Sequence, residues 1–122
     1  MKEIPAMERD VSSNEEYLEF MQHGDYLHGK TIPFSWVEAL GRWNTKLEAT
    51  HIILDSKVLI IQGTSDTVVE WQYNTRQLQR LFAEVDLRFI DGARHELFQE
   101  SEDIRDEVYG IIIEMLGSPD YR

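Results

Sequence analysis

The chain has 122 residues, 42% of them hydrophobic and 11% aromatic, enough to build one hydrophobic core and too few residues for a complete doubly wound sheet with its helices. A formal net charge of −11, from 23 acidic against 12 basic residues and without a basic cluster, argues against nucleic acid and anionic membrane surfaces as partners. The absence of cysteine excludes disulfides and thiol catalysis, and the absence of a signal-peptide pattern or a membrane-length apolar run makes a cytoplasmic location the expectation.

In chain order, residues 1–11 are polar, contain Pro5 and show no period, so a loose arm is expected. Ser13 with Glu16 three residues on forms a capping box ahead of Tyr17, Phe20 and Met21, which predicts a short helix to about Gln22. His23-Gly24 and His28-Gly29 punctuate a loop ending at Pro33. A second capping box, Ser35 with Glu38, opens a helix whose Trp36, Leu40, Trp43 and Leu47 fall on one stripe. That stripe reads first as packing, and second as a lid over an acyl-chain site. Residues 48–56 connect this helix to the next apolar run, and His51 to Leu54 fit a strand-like piece or a helix end equally well.

KVLIIQG, Lys57 to Gly63, is an unbroken apolar run of the kind that forms a parallel strand covered on both faces. A helical face comes next in Val69, Tyr73, Leu78, Leu81 and Phe82, with Arg76 and Arg80 outside it. A second apolar run, Asp86 to Ile90, predicts the next strand, parallel to the first. The last helix is expected from Ser101 or Glu102 to Leu116 on a stripe of Ile104, Val108, Ile111, Ile112 and Met115, ended by Gly117 and Pro119.

Asp66 lies after the first of these strands and His95 after the second. Reacting groups in open α/β sheets gather outside the carboxyl ends of the strands, so the two side chains are expected to meet. A carboxylate bonded to imidazole Nδ1–H fixes the tautomer and leaves Nε2 to take a proton from a nucleophile. Singly, Asp66 reads as a turn aspartate and His95 as a surface histidine; as a pair at two strand ends they point to catalysis. His95-Glu96 begins like a zinc-protease H-E-x-x-H, but Gln99 stands where the second ligand belongs, and no other histidine pair has ligand spacing, so no metal is expected. Glu70, Arg94 and Glu96 are the polar neighbours suited to supporting contacts.

VLIIQGTSDTVVEW followed by IDGARHELFQE resembles the carboxyl-terminal part of α/β-hydrolases of the lysophospholipase and monoacylglycerol lipase group, the serine aminopeptidase S33-like family. Its G-x-x-D-x-V-V motif, matched by Gly63, Asp66, Val68 and Val69, carries the triad acid; its G-A-x-H-E motif, matched by Gly92, Ala93, His95 and Glu96, carries the triad histidine. The resemblance runs from about Ser56 to Leu116. It departs at the nucleophile, because none of the seven serines lies in a G-x-S-x-G elbow.

The resemblance implies an α/β fold cut to its carboxyl-terminal portion: two parallel strands with flanking helices in an incomplete sheet. Residues 1–55 would be a cap or lid segment and residues 56–122 the strand–helix–strand–helix unit. It implies a fragment of a serine ester hydrolase that supplies Asp66 and His95, acts on acyl esters or lysophospholipid-like substrates, needs no cofactor and is inactive alone. The alternative is a hydrolase-derived binding or assembly module without catalysis. The unpaired edge of KVLIIQ is expected to make the isolated chain self-associate.

Overall fold

The computed structural model describes residues 2–7 and 9–121. Its main elements are β1 (Glu3–Pro5), α1 (Glu15–Glu19), β2 (Thr31–Pro33), α2 (Phe34–Ala49), β3 (Leu54–Gly63), α3 (Trp71–Leu81), β4 (Phe82–Ile90) and α4 (Glu102–Gly117). β3 and β4 pair in parallel, Leu54 opposite Phe82 through Gly63 opposite Ile90, with one register shift between Leu54 and Lys57. The two apolar runs are therefore neighbouring strands joined through α3, and both strand ends reach one edge. Each strand starts earlier than its apolar run, because the pairing continues back to Lys57 opposite Glu84 and Leu54 opposite Phe82, with polar Asp55 and Ser56 in the register shift between them.

On α3, Thr75 and Leu81 are buried, Tyr73 and Leu78 half-buried, and Arg76 and Arg80 face solvent. Phe82, expected on that helical face, instead opens β4. α4 lies along its expected stripe, with Val108 buried against Ile90 and Ala93 and with Ile61, Leu97, Ile104, Ile111 and Ile112 packed around them. Gly117 closes the helix from within, and Ser118 is the residue that caps it.

Four expectations for the amino-terminal half are corrected. The arm is not loose over residues 3–5: β1 pairs antiparallel with β2, Ile4 opposite Ile32, while Met1 and Glu8 lie outside the described residues. So short a ladder is held by backbone bonds and leaves no period to read; Pro5 and Pro33 sit at its ends, where a missing N–H costs least. Neither capping box forms. Asn14 caps α1 by accepting from the Tyr17 N–H at 3.2 Å, and Ser13 turns to Glu100 instead. β2 runs directly into α2 at Phe34, which leaves no loop residue before Ser35 for it to cap from. Past α1 the winding widens into a π-type turn over Phe20–Gly24.

The fourth correction concerns the tryptophan stripe, which is left largely uncovered by the described residues. Trp36, Leu40 and Trp43 are 55%, 43% and 61% exposed, and Leu47 alone is half-buried. α2 is held by its carboxyl end: Arg80 Nη2 donates to the Leu47 carbonyl at 2.7 Å and the Tyr73 hydroxyl to Glu48 at 2.7 Å. His51 to Ile53 have no regular structure, and Leu54 opens β3.

Lys57 to Gln62 are half-buried rather than covered on both faces. The sheet of described residues has two strands, so each keeps one backbone edge without a strand partner. At about 1.5–3 kcal/mol per buried aliphatic side chain, the nucleus of Ile90, Ala93 and Val108 is small against an ordering cost of roughly 1–2 kcal/mol per residue. The isolated chain is therefore expected to associate through its edges and exposed apolar faces. Light scattering should show dimers or larger species; a monodisperse monomer that melts cooperatively would contradict this. No helix among the described residues is long and apolar enough to cross a membrane.

Candidate active site

Two turns at the carboxyl ends of β3 and β4 form the site, and their backbones are laced together. The Thr64 N–H donates to the Ile90 carbonyl at 3.0 Å and the Ser65 N–H to the Ala93 carbonyl at 2.9 Å. The Thr64 hydroxyl accepts from the Gly92 N–H at 2.9 Å and donates to Asp91 at 3.1 Å. Gly92 takes φ 73°, a left-handed conformation that glycine adopts without penalty. At Gly63 the approach is so close that a Cβ would stand 2.3 Å from the Ala93 carbonyl oxygen and 2.6 Å from that of Arg94. A side chain there would collide with the backbone that carries His95.

This lacing brings Asp66 and His95 together, with Asp66 Oδ2 2.9 Å from His95 Nδ1. Asp66 Oδ1 accepts from the Val68 N–H at 2.8 Å and the Val69 N–H at 3.3 Å, so the turn role and the pairing role are filled by different oxygens of one carboxylate. The Gln62 side-chain amide lies 3.4 Å from Oδ2. Burial disfavours the charged carboxyl, but the bonds from His95, Val68 and Val69 outweigh it and hold the group below its ordinary value. Asp66 is 8% exposed, and the His95 side chain 34%. With Nδ1 engaged, Nε2 remains for a proton donor. His95 and Glu96 line a cavity of about 500 Å³ whose apolar wall includes Val11, Leu18, Met21 and Ile32.

Of the expected supporting residues, Glu96 accepts from the Tyr17 hydroxyl, and burial together with that bond pushes the phenol up to about 12. Arg94 Nη1 reaches Asp10 at 2.6 Å and the Ser12 carbonyl. Glu70, just before α3, is exposed and forms no side-chain hydrogen bond with Asp66 or His95. Sequence reasoning missed Glu100. Its carboxylate is fully buried and accepts from the Ser13 N–H at 2.6 Å, from the Ser13 hydroxyl and from the Arg94 N–H. Burial again opposes its charge, and the Ser13 and Arg94 donors outweigh it, so this carboxyl too is held below its ordinary value. No periodicity marks such a residue, since its Ser13 partner lies 87 positions away.

A carboxyl whose folded value is depressed contributes stability above its unfolded value, near pH 4 at about the ordinary range, and that stability is lost as pH falls through the folded value. Asp66 and Glu100 both act in this direction. Acid also relieves the self-repulsion of a chain with net charge −11, which acts oppositely. The melting temperature is expected to hold steady above about pH 5 and to fall below the ordinary carboxyl range. An acid-induced fall just as large in the Asp66→Asn, Glu100→Gln double variant would show that these two carboxylates do not supply it.

Adjacent parallel strands with an aspartate after one, a histidine after the next and helices packed against them define part of an α/β-hydrolase fold. The profile of the family described as serine aminopeptidase, S33, matches residues 5–102, and the chain belongs to that family. Among solved structures it is similar to a soluble variant of monoglyceride lipase from Saccharomyces cerevisiae in complex with a substrate analog, with a TM-score of 0.77 and 20% identity. The match covers 92% of this chain and 42% of that one, so the chain spans less than half the length of the enzyme it resembles. A comparison with curated proteins gives no significant match.

Proposed function

We propose that Asp66 and His95 are the acid and base of a serine-hydrolase triad, that the enzyme cleaves carboxylic esters of the monoacylglycerol or lysophospholipid kind, and that the serine comes from outside these 122 residues. The observation that carries this reading is the 2.9 Å pairing of His95 Nδ1 with the buried carboxyl group of Asp66. In the reaction, Nε2 takes the serine proton as the oxygen attacks the ester carbonyl, and Asp66 stabilises the resulting imidazolium. The imidazolium then protonates the departing alkoxide, and the same base activates water to release the acyl group. Donors elsewhere hold the oxyanion, and no step calls for a cofactor. The apolar wall of Val11, Leu18, Met21 and Ile32 beside His95 suits an acyl chain, and residues 1–55 act as the cap of the site.

The isolated chain is expected not to hydrolyse p-nitrophenyl esters above background. Losing one oxyanion donor alone costs about a hundred- to a thousandfold in rate, and here the nucleophile is absent as well. Turnover by the isolated chain that survives His95→Ala purification controls would place a nucleophile among its seven serines and overturn that part of the reading. A second reading, a binding or assembly module, draws support from the exposed Trp36 and Trp43 face; it predicts that His95→Ala is silent in the whole polypeptide.

A further inference from the structure

The loop that carries His95 is fixed on two sides. On one, the β3 turn takes the Ala93 carbonyl through the Ser65 N–H. On the other lies a strap, Asp10 to Ser13, far away in sequence. The Glu96 N–H donates to the Val11 carbonyl at 2.8 Å, Arg94 reaches Asp10 and the Ser12 carbonyl, and the Ser12 hydroxyl donates to the Gln99 carbonyl at 2.7 Å. At the centre of these contacts sits Glu100. One carboxylate oxygen accepts from the backbone and hydroxyl of Ser13, and the other from the Arg94 N–H, the residue just before the imidazole. We infer that Glu100 is a positioning residue for His95, its buried carboxylate binding the strap to the loop so that the imidazole and the cap-side wall of the cavity are set as one unit.

Three features support this assignment. Glu100 is fully buried and its acceptors are matched by donors from both segments, so it is a built junction rather than a surface contact. The strap leads directly into α1, whose Leu18, with Val11 of the strap itself, lines the cavity that His95 and Glu96 line from the other side. Tyr17 bonds Glu96 across the same seam. A glutamate here acts only as an acceptor, whereas glutamine would aim N–H donors at N–H or O–H donors on one side.

The inference rests on the triad reading, and the test separates the two. In the whole polypeptide that carries these residues, Glu100→Gln is compared with His95→Ala for hydrolysis of a monoacylglycerol, with amide hydrogen exchange read in parallel. Glu100→Gln is expected to lower kcat per folded molecule by about a hundredfold, the scale of a misplaced catalytic group, with KM little changed. Exchange at Arg94, Glu96 and Ser13 should quicken while Leu87 in β4 stays protected. Unchanged kcat per folded molecule, or quickened exchange spread evenly over β3 and β4, would overturn the positioning role. If Glu100→Gln does not fold, Ser13→Ala removes one hydroxyl donor and should lower kcat less, in the same direction; an unchanged kcat there would overturn the role equally. Should His95→Ala retain turnover, the triad reading fails on its own, and the exchange pattern still judges the junction.

Discussion

Replacing His95 by alanine in the whole polypeptide is expected to abolish nearly all ester turnover, by up to about a millionfold as when the base of a serine-hydrolase triad is removed. The geometry gives the reason. Asp66 takes Nδ1 at 2.9 Å, so the imidazole is presented with Nε2 as its base, and among the described residues no other histidine pairs with a buried carboxylate. His23, in the π-type turn that follows α1, pairs with exposed Glu19 at the end of that helix. Asp66→Asn keeps the shape and the turn bonds from Val68 and Val69, yet its amide can present a donor to Nδ1 and favour the wrong tautomer. Turnover should fall about ten-thousandfold on the precedent of that substitution in a serine protease. Steady-state kinetics on a monoacylglycerol and a lysophospholipid check both. A His95→Ala enzyme with near-normal turnover would mean that the base has been misassigned.

Gly63→Ala is the second substitution with a large expected effect, although it touches neither site residue's side chain. The new methyl would stand 2.3 Å from the Ala93 carbonyl oxygen and 2.6 Å from the Arg94 oxygen, and both are backbone atoms that cannot rotate away. Either the end of β3 or the His95 loop must move. Overpacking of this kind typically costs about 1–3 kcal/mol, and a shift of about 1 Å in the imidazole can cost about a hundredfold in rate. Melting temperature and kcat should therefore both drop, whereas Gly41→Ala, with nothing within 4 Å, serves as the control. A Gly63→Ala protein with unchanged kcat would show that the two turns adjust independently.

The carboxyl-terminal half was legible because its signals are local and redundant. KVLIIQ, the α3 face and the α4 stripe each carry a period or an apolar run, and the two site residues stand at the ends of the strands. Asp66 and His95 stood out as a pair for that reason, and for the motifs around them. The amino-terminal half was not legible, because its structure is decided by distant partners. Ser13 fits a capping box locally, but a buried carboxylate 87 positions away competes for it and wins. β1 is three residues long and exists only as the mate of β2. The Trp36 and Trp43 stripe has the spacing of a packed face, and spacing alone does not say whether the surface that covers it lies in the same 122 residues.

The most direct test of the triad is fluorophosphonate labelling of the whole polypeptide followed by peptide mapping, since phosphonylation needs a serine activated by its base. The proposal predicts one labelled serine outside these 122 residues, with labelling abolished by His95→Ala and strongly slowed by Asp66→Asn. Labelling that proceeds at the wild-type rate in His95→Ala would contradict it.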